Sequence, residues 1–233
     1  MTLLTICQGA ARKIGIPNPN AIITSQDPQV KELLAFAEMT GDELMESYDW
    51  EILTKEASFT TLAAETQGTL TSIASDYNRI IDQSMWDRTG TRRVRGPLDA
   101  YKWQQVKGTA TDASVEYWFR IRGGELLFWP SPPAGNSVYF EYIGKNWVNG
   151  ATPAESFAAD TDTAYLDERL IEYGVIWRFL KQKGMPYEDA LTEFRNRREK
   201  LLIHDKGNPI LSMDAGPDGT FTDNIPESNW TTS

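Results

Sequence analysis

The strongest constraint on the fold is a run of aromatic, strand-forming residues between positions 114 and 148. The segments "SVEYWFRIR" and "ELLFWP" flank Gly123 and Gly124, and two consecutive glycines supply the positive φ angles that a two-residue hairpin turn needs. The turn-rich stretch "SPPAGN" then leads into "SVYFEYIGKNWV". This pattern predicts a three-stranded antiparallel β-meander.

The predicted meander has aromatic side chains on both of its faces. Successive residues of a strand point to opposite sides of a sheet, and Tyr117 and Phe119 share one side, whereas Tyr139 and its neighbour Phe140 point opposite ways. A sheet can bury only one face against its own core. We therefore expect the other face to pack on helices or on another protein chain.

Helical spacing of apolar residues predicts four main helices around this β-rich region. Asp27 as N-cap and Pro28 at the first helical position begin a second helix of about 22 residues. Asp162 or Thr163 is expected to cap the third helix, and its predicted apolar stripe includes Leu170, Tyr173, Trp177 and Leu180. The predicted first helix covers residues 3–14, and the fourth starts at Pro186.

These elements predict an α+β fold: an antiparallel bundle of four main helices, an inserted β-rich meander domain and an extended C-terminal tail. The predicted domains are residues 1–50 plus 160–206 for the bundle, 51–150 for the insertion and 207–233 for the tail.

The predicted tail is rich in Gly, Pro, Asn, Asp and Ser, and its apolar residues are isolated. Such a segment cannot build a core, but its apolar residues suit docking on a partner. The predicted docking residues are Ile210, Leu211, Phe221, Ile225 and Trp230.

Charge argues against a protein that grips nucleic acid. The chain has 33 acidic and 23 basic residues, a formal net charge of −10, and phosphate backbones repel such a surface on average. The only cysteine, Cys7, excludes an internal disulfide, and no apolar run approaches the roughly 20 residues of a membrane helix. We expect no membrane association.

No catalytic or metal-binding motif stands out. His204 is the only histidine, so a His/Cys zinc site is excluded by counting, and no nucleophile motif accompanies it. Phosphate-loop and EF-hand patterns are also missing. The sequence predicts no enzymatic activity, no cofactor and no metal, although a carboxylate pair in a cleft, as in a cell-wall hydrolase, remains an alternative.

The segment "WDRTGTRRVRGP" concentrates positive charge around a Thr-Gly-Thr turn. These arginines could contact an acidic protein partner or a nucleic-acid backbone. A solvated hairpin whose arginines pair with the chain's own acidic residues is the other interpretation. The residues concerned are Arg88, Arg92, Arg93 and Arg95.

Several motifs together resemble one family. "SYDWEILTKEASFTT", "MWDRT", "RIRGG" and "TDTAYLDE" occur in this order after the N-terminal "LLTICQGAARKIGI". In this arrangement the chain resembles the head-to-tail adaptors of tailed bacteriophages, also called head-completion or tail tubular proteins. The resemblance covers about residues 1–205, and the tail departs from it.

The resemblance implies a structural virion protein at the head–tail junction, assembled in the host cytoplasm. It implies a homo-oligomeric ring of twelve copies between the portal protein and a nozzle or tail-tube protein. DNA would pass through the ring during ejection without sequence-specific binding.

On this interpretation the surplus aromatic area is a subunit or tail interface, since each copy in a ring needs two different, complementary faces. A carbohydrate-binding tail or adhesin module is the alternative, because Trp and Tyr also stack on sugars. Besides the four arginines, the predicted interface residues are Trp118, Trp129, Tyr139, Tyr142 and Trp147.

Overall fold

The computed structural model describes residues 1–108 and 116–205, which form two compact units. Residues 1–54 and 143–205 form the helical unit, and residues 55–108 and 116–142 form the sheet unit. Within this described part the structure has six α-helices and eleven strands.

The helices are α1 (Leu3–Ile14), α2 (Pro28–Ser47), α3 (Leu70–Ile73), α4 (Ala100–Gly108), α5 (Glu168–Gln182) and α6 (Glu188–Asp205). The strands are β1 (Thr54–Thr60), β2 (Thr66–Thr69), β3 (Tyr77–Ile80), β4 (Trp86–Asp87), β5 (Arg92–Arg95), β6 (Tyr117–Arg122), β7 (Glu125–Trp129), β8 (Ser137–Gly144), β9 (Val148–Asn149), β10 (Pro153–Ala154) and β11 (Thr163–Ala164).

The centre of the helical unit is α5, which packs against α1, α2 and α6. A helix surrounded on several sides is buried around most of its circumference, and Ile171, Val175 and Phe179 are all buried. The stripe predicted from the sequence is only partly right. Leu170 is buried, but Tyr173 and Trp177 are half-exposed, because the covered sides of α5 are set by three neighbouring helices.

Small residues let α2 approach its neighbours closely. A Cβ atom at Gly174 of α5 would lie 2.2 Å from Thr40 of α2, and one at Gly41 would lie 2.2 Å from the indole ring of Trp147. The Trp147 ring is fully buried, and its Nε1 donates a hydrogen bond of 2.9 Å to Asp42. The two glycines therefore fix how near α5 and Trp147 come to α2.

The acidic loop before α5 holds the start of the chain in place. The Asp160 carboxylate accepts hydrogen bonds from the backbone N–H groups of Ile22 and Ile23, and the backbone N–H of Leu3 donates to the Asp162 carbonyl oxygen at 2.8 Å. The Asp160 carboxylate and the Asp162 carbonyl oxygen thus satisfy backbone donors that burial would otherwise leave unpaired.

The sheet unit contains an eight-stranded mixed sheet. Its order is β1-β8-β4-β5-β6-β7-β2, with β3 also paired to β8. The β5–β6 pair is parallel, whereas β4–β5, β4–β8, β6–β7 and β2–β7 are antiparallel. The inward faces of the strands share one apolar core, whose largest members include Phe119, Phe128 and Phe140.

The prediction of a four-helix antiparallel bundle with an inserted meander is wrong, although the chain does mix helices and strands. The hairpin at Gly123 and Gly124 is confirmed, but β8 pairs with β4 and not with β7, so the three aromatic strands form no meander. Helices α3 and α4 and the strands of two to four residues were not predicted, because the sequence shows no clear pattern for them. Their positions depend on tertiary pairing.

The boundaries of α5 and α6 also differ from the prediction. Helix α5 begins after Asp167, whose carboxylate accepts a hydrogen bond from the Leu170 N–H at 2.8 Å. The expected cap Thr163 instead lies in β11, paired with β9. The division into domains predicted from the sequence remains a prediction, and the predicted tail 207–233 lies outside the described residues.

Substituting Gly41 with Ala tests the close packing in the helical unit. Ala is favoured over Gly inside a helix by about 1 kcal/mol, but here its Cβ would overlap Trp147. We expect the free energy of unfolding, measured by chemical denaturation, to fall by about 1–3 kcal/mol. Gly108→Ala is the control, because its Cβ meets nothing within 4 Å. An unchanged or higher stability of Gly41→Ala would contradict this packing.

Candidate interaction surface

The outer face of the sheet brings together aromatic and arginine side chains from five adjacent strands. Residues paired across neighbouring strands lie on the same face, and the pairs Trp86–Tyr139, Trp86–Arg93, Arg95–Trp118 and Trp118–Trp129 connect β8, β4, β5, β6 and β7 in turn. We call these residues, with Arg88, the aromatic–arginine face. Its members are Tyr139, Trp86, Arg88, Arg93, Arg95, Trp118 and Trp129.

The aromatic–arginine face remains accessible to solvent. Trp86, Trp118, Trp129 and Tyr139 are half-buried, and the arginines of the face are exposed. The opposite side of the same strands is the core of the unit. The sheet therefore uses one face for its own core. The other face is only partly covered, because Leu127 on that side is buried and Lys107 of α4 lies over the Trp129 ring.

The hairpin between β4 and β5 positions the arginines. Asp87 is fully buried, and its Oδ1 accepts hydrogen bonds from the backbone N–H groups of Thr89 and Gly90 at 3.0 and 2.8 Å. Its Oδ2 accepts a further hydrogen bond of 2.7 Å from Asn136. An Asp that binds backbone groups two and three residues ahead fixes a tight turn. The arginine turn is thus a well-defined hairpin.

The arginines of the face contact both rings and carboxylates. The Arg88 guanidinium lies 3.6 Å from the centre of the Tyr139 ring and forms an ion pair with Glu56. Arg95 pairs with Glu116 at 2.7 Å. Both arginine side chains are more than half exposed, so these pairs contribute little to folding stability.

Trp129 at the β7 side of the face has an incomplete environment. The Lys107 ammonium of α4 lies 5.3 Å from its ring centre and pairs with Glu65 at 2.7 Å. The indole Nε1 of Trp129 is buried but donates no hydrogen bond within the described residues. A buried indole N–H normally donates a hydrogen bond. The Trp129 N–H therefore has a hydrogen-bonding capacity that the described residues do not use.

Three of the predicted interface residues lie elsewhere. Arg92 alternates with the arginines of the face, and its guanidinium lies 5.8 Å from the centre of the buried Tyr117 ring. Tyr142 and Trp147 are buried, with 6% and 0% exposure. The predicted tail residues Ile210, Leu211, Phe221, Ile225 and Trp230 lie outside the described residues.

The prediction also missed Trp86, which lies on the face between Tyr139 and Arg93. It is part of the "MWDRT" motif, but a two-residue strand gives no alternation from which to read its direction. Its pairing with both Tyr139 and Arg93 is visible only in the structure.

The helical unit carries a second surface feature, an open groove of about 500 Å³ along α2. Its floor is Arg178, which donates a hydrogen bond of 2.9 Å to the Thr40 hydroxyl and forms an ion pair with Glu43. Burial lowers the pKa of Arg178, and the charge of Glu43 opposes that shift. We call this feature the acidic groove. Its lining residues are Met39, Asp42, Glu43, Glu46, Ser47 and Arg178.

The chain's single cysteine lies in the interior of the helical unit. Cys7 is fully buried, and burial with the charge of Asp160 raises the pKa of its thiol to about 12. Among residues 1–108 and 116–205, no cluster of three or more His, Cys, Asp or Glu side chains could hold a metal ion. In the same ranges, no helix has the length and apolar composition needed to span a membrane.

Fold and surface together define a mixed α+β protein whose exposed chemistry is of the kind that protein partners cover. The sheet unit presents aromatic rings and arginines, and the helical unit presents an acidic groove with an exposed Met39. Comparison with protein families is consistent with this class. The model of the SU10 adaptor protein family matches residues 1–209, and the chain belongs to this family of phage head-to-tail adaptors. No curated protein matches the chain.

Family membership confirms the resemblance found in the sequence. It gives the chain a structural role in a bacteriophage particle, located at the junction of head and tail. The expectation that the chain has no enzymatic activity fits a structural family and otherwise stays a prediction.

The hydrogen bond between Tyr142 and Asp76 predicts how the stability of the fold depends on pH. The Tyr142 hydroxyl donates to Asp76 at 2.8 Å, and Lys55 donates to the same carboxylate. Burial raises the pKa of Asp76, but the hydrogen bonds and charge of Lys55 and the hydrogen bond of Tyr142 outweigh it and lower the pKa overall. The ionised carboxylate therefore stabilises the fold above about pH 4, and this stabilisation is lost as the pH falls through the lowered folded-state pKa.

We accordingly expect Asp76→Asn to lower the free energy of unfolding by about 1–2 kcal/mol at pH 7. The difference from the wild type should shrink below about pH 4, as measured by denaturation across a pH series. Asp82→Asn, at an exposed position of the same unit, is the control. A difference that is independent of pH would show that the ionised Asp76 does not carry the effect.

Proposed function

We propose that this chain is the subunit of a ring that joins the portal protein of the filled head to the nozzle or tail-tube protein of the tail. Twelve copies form the ring, which completes the head in the host cytoplasm. DNA passes through its lumen during ejection without sequence-specific binding. Family membership supports the adaptor role, and the surfaces of the described residues support its mode of assembly.

The aromatic–arginine face is the single observation that carries the proposal of a ring subunit. Trp, Tyr and Arg are the residue types that dominate protein–protein contacts, especially where rings are buried centrally and charges surround them. On this face three Trp and one Tyr alternate with three arginines across neighbouring strands. A partner that covers the face would bury this surface with little loss of conformational entropy, because the strands already hold the side chains in place.

The charge of the chain supports passage of DNA without binding. The net charge is −10, and a negative lumen repels phosphates instead of retaining them.

A carbohydrate-binding module is the second candidate, because half-buried Trp118 and Trp129 lie side by side on neighbouring strands. Arg95 and Lys107 lie beside these rings, and each pairs with a carboxylate, that of Glu116 and that of Glu65. The further exposed arginines of the face, Arg88 and Arg93, favour an acidic protein partner over a sugar.

The first test is co-sedimentation of the purified chain with portal rings from the same phage, using the full-length chain and a chain that ends after residue 206. We expect saturable binding at about one copy per portal subunit, weakened by the truncation if the tail residues dock as proposed. Binding of neither chain to intact portal rings would contradict the adaptor function. Glycan binding by the full-length chain in that case would support the carbohydrate alternative.

The second test removes one ring from the face. Trp118→Ala should weaken assembly of copies on the portal by about 2 kcal/mol or more, because a central Trp is a typical hot spot. The number of copies per portal is the measurement, and the unfolding midpoint shows that the variant is folded. Tyr101→Ala, at a ring 78% exposed on α4, is the control. Unchanged assembly of Trp118→Ala would exclude this ring from the interface.

A further inference from the structure

The two units differ in net charge: the helical unit is strongly acidic, and the described sheet unit is nearly neutral. The helical unit has 12 Lys and Arg against 19 Asp and Glu, a net charge of −7 over residues 1–54 and 143–205. The described residues of the sheet unit have 10 basic against 9 acidic residues, a net charge of +1. A net charge of −10 for the whole chain conceals this difference.

This difference restricts how copies of the chain can meet. A contact between two sheet units would bring the arginine sides of both aromatic–arginine faces together, and a contact between two helical units would oppose two acidic surfaces. Like charges facing each other cost several kcal/mol at an interface. A contact of the arginine-bearing face of one copy with the helical unit of another avoids both of these oppositions.

The acidic groove is the part of the helical unit that best complements the face. Its three carboxylates, on Asp42, Glu43 and Glu46, outnumber its one guanidinium, on Arg178, so the groove remains negative. Met39 at its side is 55% exposed. An exposed methionine is an adaptable contact for aromatic rings, and the groove of about 500 Å³ has room for side chains of a partner.

The position of the groove on α2 adds an energetic reason. The stretch from residue 38 to 51 has six acidic residues and no basic one, and the last turn of α2 has no basic residue. Negative side chains near a helix C-terminus are unfavourable because the helix dipole is negative there. A cationic partner at the groove would reduce both the unfavourable interaction of these carboxylates with the helix dipole and their repulsion of one another.

We propose that the aromatic–arginine face of one copy binds the acidic groove of the next copy. This inference rests on the proposed ring function and specifies its subunit contact. The two surfaces differ, so each copy offers one of each, and such a heterologous contact closes into a ring when the rotation between copies permits. The portal and tail proteins then bind elsewhere on the assembled ring.

The experiment is a charge exchange in the full-length chain. The face variant is Arg93→Glu with Arg95→Glu, and the groove variant is Met39→Lys with Glu46→Lys. All four positions are exposed, and lysines near the end of α2 suit the helix dipole. Self-association is measured by sedimentation velocity in free solution and by the number of copies on portal rings, with circular dichroism to show that each variant is folded.

We expect each variant alone to associate at least about tenfold more weakly than the wild type, because each one opposes like charges at the contact. An equimolar mixture of the two variants should recover association, since the altered face of one then meets the altered groove of the other. The matched control is Arg195→Glu with Lys200→Glu, at exposed positions of α6. It changes the net charge by the same amount as the face variant and should associate as the wild type does.

The outcomes separate this inference from the proposed function. Variants that associate as the wild type does, or a mixture no better than either variant alone, would overturn the inference. So would a wild-type chain that self-associates neither in solution nor on the portal. If the wild type binds the portal but the mixture does not recover self-association, the adaptor function stands and the proposed contact between copies is wrong. If the mixture recovers self-association but the wild type does not bind the portal, the contact stands and the proposed adaptor function is wrong.

Discussion

A β-sheet can bury only one face against its own core, and this constraint governs the sheet unit. Phe119, Phe128 and Phe140 fill the inner side. Because successive residues alternate, the neighbours of these rings must point outward, and in this chain those neighbours are Trp118, Trp129 and Tyr139. The stability of the core and the availability of the outer face are therefore two consequences of the same alternation.

The helical unit depends on close packing around one central helix. Its central helix α5 is covered by three others, and close approach depends on glycines, as at Gly174 against Thr40. The buried Arg178 extends from this packed centre to Glu43 at the surface. The acidic groove is thus built on a rigid floor, and a rigid site loses little conformational entropy when a partner binds.

These two units have properties that the proposed ring would require. Contacts between copies in such a ring would need specificity, which opposite charges provide mainly by excluding wrong pairings. The proposed passage of DNA would need a surface to which phosphates do not adhere, and the net charge of −10 is of the right sign for that.

The sequence by itself determined the family, the helix starts at Leu3 and Pro28, the hairpin at Gly123 and Gly124 and the arginine turn. Each of these depends on local chemistry: caps, turn glycines and short motifs. The tertiary structure alone decided the strand order, the parallel β5–β6 pair and the burial of Tyr142 and Trp147. It also placed Trp86 on the face, between Tyr139 and Arg93. Short strands have no periodicity of their own, and their partners are distant in sequence, so only the assembled core can select them.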